Sequence, residues 1–160
     1  MVVLLHNIRS LYNTGSILRT ADAAGFSKAY FCGITPEPFD RFGNYRKEIS
    51  KVALGAEKYL DWEKVKSTSR LVDRLRKEGY RIFSVEQDKA SVPYDKVRVS
   101  PEDKIALVLG NEIKGLPKSI LAKSDKIIEI PMKGRKESLN VSVAFGIVAF
   151  SLGNSGRNKV

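Results

Sequence analysis

Short apolar runs alternate along the chain with stretches in which apolar residues recur every three or four positions. The runs Val2 to Leu5, Ala29 to Cys32, Tyr80 to Val85, Lys104 to Leu109 and Lys126 to Ile130 predict strands. Between the first two, Ile17, Ala21 and Ala24 keep helical spacing, with Asn13 read as the N-cap and Gly25 as the stop. Val65 to Glu78 predicts a charged amphipathic helix facing the core through Val65, Leu71, Val72 and Leu75. Pro117 to Ala122 predicts a short helix with proline at its opening. Ser138 to Leu152 is apolar on nearly every side and predicts a deeply buried helix. The longest irregular stretch is Gly33 to Ser50, which carries Pro36, Pro38 and Gly43 among several cations.

Strands spaced by helices imply an α/β fold, a mostly parallel sheet with helices on both faces. With 160 residues the chain predicts one domain, placed at 1–153 and followed by a short polar tail, 154–160. The apolar stretch Val141 to Leu152 is too short to span a membrane. The N-terminus lacks a basic region and a cleavage site, so it reads as a strand and not as a signal peptide.

Charge adds a partner. Lys and Arg number 28 and Asp and Glu 18, a formal charge of +10, which points to a polyanion and above all to nucleic acid. One cysteine, Cys32, excludes an internal disulfide framework and a multi-cysteine metal site. One histidine, His6, excludes most zinc and histidine-based catalytic sets, so no metal is expected. Both scarcities suit a reducing, cytoplasmic setting.

In open α/β sheets ligands bind beyond the carboxyl ends of the strands. Four segments occupy such positions: Asn7 to Arg19, Leu109 to Leu116, Ile130 to Gly134 and Glu137 to Ala144. None contains G-x-G-x-x-G, a P-loop or a G-x-S-x-G elbow. Gly110 and Gly115 flank Asn111 and Glu112, where glycine lets backbone approach a ligand; Ser138 to Asn140 opens the apolar helix. Taken singly, these read as a strand-to-helix turn and an N-cap, and Arg19 as a solvated helix residue.

Their order is more specific. The set N-x-R-x-x-x-N-x-G-x-x-x-R (Asn7 to Arg19), L-G-N-E-x-x-G-L (Leu109 to Leu116), I-P-M (Ile130 to Met132) and S-L-N-V-S-V-A (Ser138 to Ala144) resembles the SpoU/TrmH family. These are RNA ribose 2′-O-methyltransferases of the SPOUT superfamily, and the resemblance covers essentially the whole chain. It implies a homodimer, S-adenosylmethionine as methyl donor, and a deep trefoil knot in the C-terminal third. Knots are otherwise so rare that topology rules argue against one. It places the donor against Val85, Leu109, Gly110, Ile130, Met132, Ser138 and Leu139. Arg19, Asn13, Glu112, Ser138 and Asn140 match the family's catalytic positions. The arginine matching Arg19 is often assigned as the base. A guanidinium is effectively always protonated, so stabilising the developing alkoxide is the easier role to justify. Arg9, Arg41, Arg46, Lys47 and Lys51 are candidates for RNA phosphate contacts. For Lys114, Lys133 and Arg135 the sequence does not separate RNA contacts from surface charge.

The chain is close to the family's catalytic domain alone, so the resemblance names the RNA only broadly, tRNA first and rRNA second. Two rival readings remain open at this point. One is a non-catalytic RNA-binding protein of the same fold. The other is a SPOUT enzyme that methylates a base.

Overall fold

In a computed structural model, which describes residues 1–155, seven strands form one parallel sheet. They are β1 (Val2–His6), β2 (Lys28–Cys32), β3 (Asp61–Val65), β4 (Arg81–Val85), β5 (Val92–Pro93), β6 (Ile105–Leu109) and β7 (Lys126–Glu129). The order across the sheet is β3-β2-β1-β6-β4-β7-β5. Central strands of a sheet covered on both faces should be apolar throughout, and every residue of β6, Ile-Ala-Leu-Val-Leu, is buried.

The helices are α1 (Leu11–Ala23), α2 (Lys47–Ala53), α3 (Ala56–Tyr59), α4 (Thr68–Lys77), α5 (Lys118–Leu121) and α6 (Val141–Ser155). Alternate strand residues divide the core in two. Val3, Leu5, Phe31, Phe83 and Leu107 pack under α1, α2, α3 and α6. Val2, Leu4, Tyr30, Ile82 and Val108 pack under α4 and α5. The expected α/β architecture with helices on both faces is therefore present. Among the described residues no helix is long and apolar enough to cross a membrane.

Several local expectations are corrected. Helix α1 starts at Leu11, because Ser10 is the cap: its backbone is extended and its Oγ accepts the Asn13 N–H. This leaves the Asn13 side chain available for other partners. The helix expected from Val65 begins at Thr68, capped by Ser67. The residues before it form the edge strand β3, whose polar sequence Asp-Trp-Glu-Lys-Val hides it, since edge strands tolerate charge. The short strand β5 and the one-turn helix α3 carry too little pattern to be read. Helix α2 takes the end of the expected loop.

The last helix departs most. Asn140 opens it by accepting the Ser142 N–H at Oδ1, so Ser138 and Leu139 stay outside in the loop. Only one side is buried, through Phe145, Val148, Ala149 and Leu152, while Val143 and Phe150 are 50% and 46% exposed. One sheet face and α1 cover only one side of a helix, whatever the residues on the other. The helix runs on to Ser155; of the expected tail, residues 156–160 lie outside the described residues.

Candidate active site at the carboxyl ends of the central strands

The segment after β6 is a tight turn built on backbone proximity. A Cβ on Gly110 would lie 2.5 Å from the carbonyl carbon of Gly115, and Gly115 itself has φ +62°. Both positions therefore require glycine. Asn111 locks the turn. Its Oδ1 accepts the N–H groups of Ile113 and Lys114, and its Nδ2 donates to the Asn7 carbonyl, at 3.0, 2.9 and 2.7 Å.

The turn delivers Glu112 to the start of α1. Its carboxylate accepts the N–H groups of Arg9 and Ser10, both at 3.0 Å, and the Asn13 side-chain amide at 3.1 Å. Helix N-termini have unpaired N–H groups and favour negative charge, yet the first turn of α1 has no acidic residue. Glu112 supplies that charge from far along the chain. Burial pushes its carboxyl up, but the N–H groups of Arg9, Ser10 and Glu112 itself and the Asn13 amide outweigh burial. The net result holds it below the ordinary glutamate range.

A polar relay runs on from there. Asn13 Oδ1 accepts from Asn140 Nδ2 at 3.0 Å, and Asn140 Oδ1 accepts from the Ser142 N–H and Oγ–H at 2.8 and 2.7 Å. Three motifs, 99 and 127 residues apart in sequence, thus meet in one hydrogen-bonded chain.

Beside this relay opens a cavity of about 370 Å³. Every predicted donor-binding residue lines it: Val85, Leu109, Gly110, Ile130, Met132, Ser138 and Leu139. So do Glu112 and Asn140, while Asn13 touches it only through them. Although the chain is strongly basic, the lining residues include four glutamates, Glu86, Glu112, Glu129 and Glu137, and neither lysine nor arginine. Motif reading missed Glu86. It immediately follows β4, and its Oε2 accepts the Leu116 N–H at 2.8 Å, bracing the glycine turn from the far side. The position at a strand end was the available signal. Gln87 beside it ties Glu137 down by donating to its carbonyl at 2.6 Å.

Other candidates are placed elsewhere. Arg19 is exposed on α1 and lines no part of this cavity. Arg41, Lys47 and Lys51 are exposed on the segment between β2 and α3, with Arg41 lying 4.7 Å over the Phe42 ring. Arg46 is partly committed to structure: its Nε donates to the carbonyls of Glu37 and Phe39, both at 3.1 Å. Cys32 is buried, and burial pushes its thiol up to about 11, so it is unreactive at neutral pH.

A parallel sheet with its ligand crevice at the strand ends, beside a glycine turn, defines an α/β protein of the strand-end binding class. The model of the SpoU rRNA Methylase family matches residues 1–150, and the chain belongs to that family. It is 31% identical to a tRNA (guanosine(18)-2′-O)-methyltransferase of Aquifex aeolicus over 94% of this chain and 67% of that protein. Its fold matches the AdoMet-bound rRNA methyltransferase of Sinorhizobium meliloti with a TM-score of 0.84. That match has 28% identity and covers 96% of this chain and 55% of that one. A TrmH/SpoU tRNA modifying enzyme of A. aeolicus matches with a TM-score of 0.82 and 29% identity, over 96% of this chain and 74% of that one. The chain spans 57% to 67% of the length of the curated relatives it matches.

Proposed function

We propose that this chain transfers a methyl group from S-adenosylmethionine to a ribose 2′-hydroxyl of RNA, tRNA before rRNA, as a cytoplasmic homodimer. The relay Glu112–Asn13–Asn140 at the lip of the acidic cavity carries this reading. The cavity residues fit the donor on two grounds. Four glutamates and no cation suit a ligand that carries a sulfonium. Gly110 and Gly115 line the cavity without side chains of their own, which suits main-chain contact with an adenine.

When bound, S-adenosylmethionine supplies an electrophilic methyl on positively charged sulfur. The chain's own residues do the rest. Backbone groups around Leu109, Gly110, Ile130 and Leu139 hold the adenine, with Val85, Met132 and Ser138 completing the pocket. Glu112 is a poor general base, because three N–H donors already hold it ionised. Its role is to fix Asn13, and through it Asn140, so that their amides orient the ribose. As the 2′-oxygen gains the methyl, the methyl–sulfur bond would break to leave a neutral thioether and the hydroxyl proton would pass to solvent, with Arg19 stabilising the charge that develops on the oxygen. Arg19 lines no part of its own chain's cavity, which favours delivery across the dimer. The bare stripe of Val143 and Phe150 on α6 supports a second copy as what covers it. In this reading the C-terminal third carries the family's trefoil crossing.

Transfer of tritium from labelled S-adenosylmethionine into undermodified tRNA and rRNA pools tests the reading. The expected product resists alkali as a 2′-O-methyl dinucleotide, and Arg19→Ala lowers its formation at least about 10²-fold. Alkali-labile label assigns a base methylase instead. No label, together with no donor binding, assigns an RNA-binding module.

A further inference from the structure

A second cavity, of about 430 Å³, lies on the other side of the glycine turn. Its lining includes His6, Asn7, Arg9, Ile34, Lys114 and Pro117, and it shares only Asn111 and Gly115 with the first. The charge is inverted: two cations line it and no carboxylate does.

The polar side chains of the floor, His6 and Asn7, are already paired. Asn7 has φ +55°, a conformation uncommon outside glycine that asparagine tolerates best. Its Nδ2 faces His6 Nε2 at 3.1 Å and its Oδ1 accepts the Ile34 N–H at 3.1 Å. That pattern makes Nε2 an acceptor, so the imidazole is neutral with its proton on Nδ1, aimed at Thr68 Oγ1 at 2.7 Å. Burial also holds His6 below the ordinary histidine value. The Arg9 and Lys114 side chains, by contrast, are exposed and make no ion pair among the described residues. They are the cavity's uncommitted charges, beside the exposed apolar surfaces of Ile34 and Pro117.

We infer that this second cavity seats the acceptor nucleotide of the RNA, with the phosphate 3′ to its ribose between Arg9 and Lys114 and its base against Ile34 and Pro117. The inference rests on the methyl-transfer reading above and deepens it. A 2′-hydroxyl neighbours its own 3′-phosphate. Cations that hold that phosphate on one side of the turn leave the hydroxyl at the shared rim, beside Glu112 and the relay. The volume falls within the range of small-ligand pockets, roughly 300–1,000 Å³, and exceeds what a phosphate alone requires. Opposite charges on the two sides of one wall keep the cationic donor and the anionic acceptor each in its own compartment.

The test uses Ile34→Trp, which fills the cavity without changing charge, and Lys114→Glu, which reverses one phosphate contact. Ile34 holds Asn7 through its backbone N–H, so its exposed side chain can be replaced without breaking the floor. Lys77→Glu, on the exposed side of α4 away from both cavities, makes the same change in net charge as a control. Anisotropy with fluorescent undermodified bulk tRNA and rRNA fragments measures RNA binding, calorimetry measures donor binding, and transfer assays separate KM from kcat. Ile34→Trp and Lys114→Glu should each weaken RNA binding and raise KM for RNA at least about tenfold. Donor affinity should stay within twofold, and Lys77→Glu should change RNA binding less than about twofold. Unchanged RNA binding in both variants, with transfer intact, overturns the subsite and leaves the methyl-transfer reading standing. Equal weakening by Lys77→Glu overturns it too, because binding would then be diffuse. A wild-type protein that binds no donor overturns the parent reading, and this one with it.

Discussion

Helices α4 and α6 cover opposite faces of one sheet and end their polarity in opposite ways. Helix α4 buries Leu71, Val72 and Leu75 and turns Arg70, Asp73, Arg74, Arg76 and Lys77 outward. Three of those outward residues are paired: Arg74 with Glu63, Arg76 with Asp125 and Asp73 with Lys123. Its outer face is finished by water. Helix α6 has no charged residue, and Val143 and Phe150 remain on its outer side. Its outer face is not covered by anything among the described residues. Apolar content alone therefore measures how much cover a helix needs, not how much its own chain supplies.

Four outcomes break or sharpen that contrast. The largest effect is expected inside both helices. Phe145→Ala, which also removes an edge-on contact with Phe26 at 5.3 Å, should cost about 3–5 kcal/mol. Leu75→Ala in α4 should cost about 2–5 kcal/mol, and denaturant titration of the two variants checks both values. Next is Phe150→Asp. It should lower self-association at least about tenfold by sedimentation and abolish any dependence of Tm on protein concentration. An equivalent change at exposed Lys77 should do neither. If Phe150→Asp associates like the wild type, α6 is not the dimer face.

Smaller effects are expected at the site. Glu112→Gln keeps the shape but removes the charge at the α1 N-terminus. It should lower stability by about 1 kcal/mol and slow methyl transfer at saturating RNA about tenfold or more. The smallest effect is the pH dependence. His6 and Glu112 both have folded values below their ordinary ones, so the unfolded chain binds more protons in each window. Stability should therefore fall as pH drops below the ordinary histidine value, and again as it passes below the ordinary glutamate range. His6→Asn should flatten the first slope and Glu112→Gln the second, as read from thermal unfolding across pH.

Much of this was legible in the sequence, for reasons visible in particular residues. The run Ile-Ala-Leu-Val-Leu of β6 admits little but a buried strand, and all seven residues proposed for the donor line one cavity. The misreadings occurred where two residues could serve the same purpose or where pattern was absent. Ser10 and Asn13 are both good caps, and only tertiary contact showed that Asn13 is spent on Glu112 and Asn140. Strand β3 is too polar to signal itself, and Glu86 belongs to no motif. The one-sided cover of α6 could not be read at all, because local pattern reports a residue's character and not how many neighbours its fold provides.

The bond between Glu112 and the start of α1 also has a consequence in time. The Ser10 N–H waits for a carboxylate 102 residues downstream. At usual synthesis rates of roughly 5–20 residues per second, that wait is about 5–20 s. Strand β1 likewise lacks its neighbour β6 until then. During translation the first helix thus has only its local Ser10 cap, and the relay closes only when the rear half of the chain has left the ribosome. A chain that stops short of Glu112 and Asn140 cannot assemble the site, so the site exists only once both halves of the chain are made.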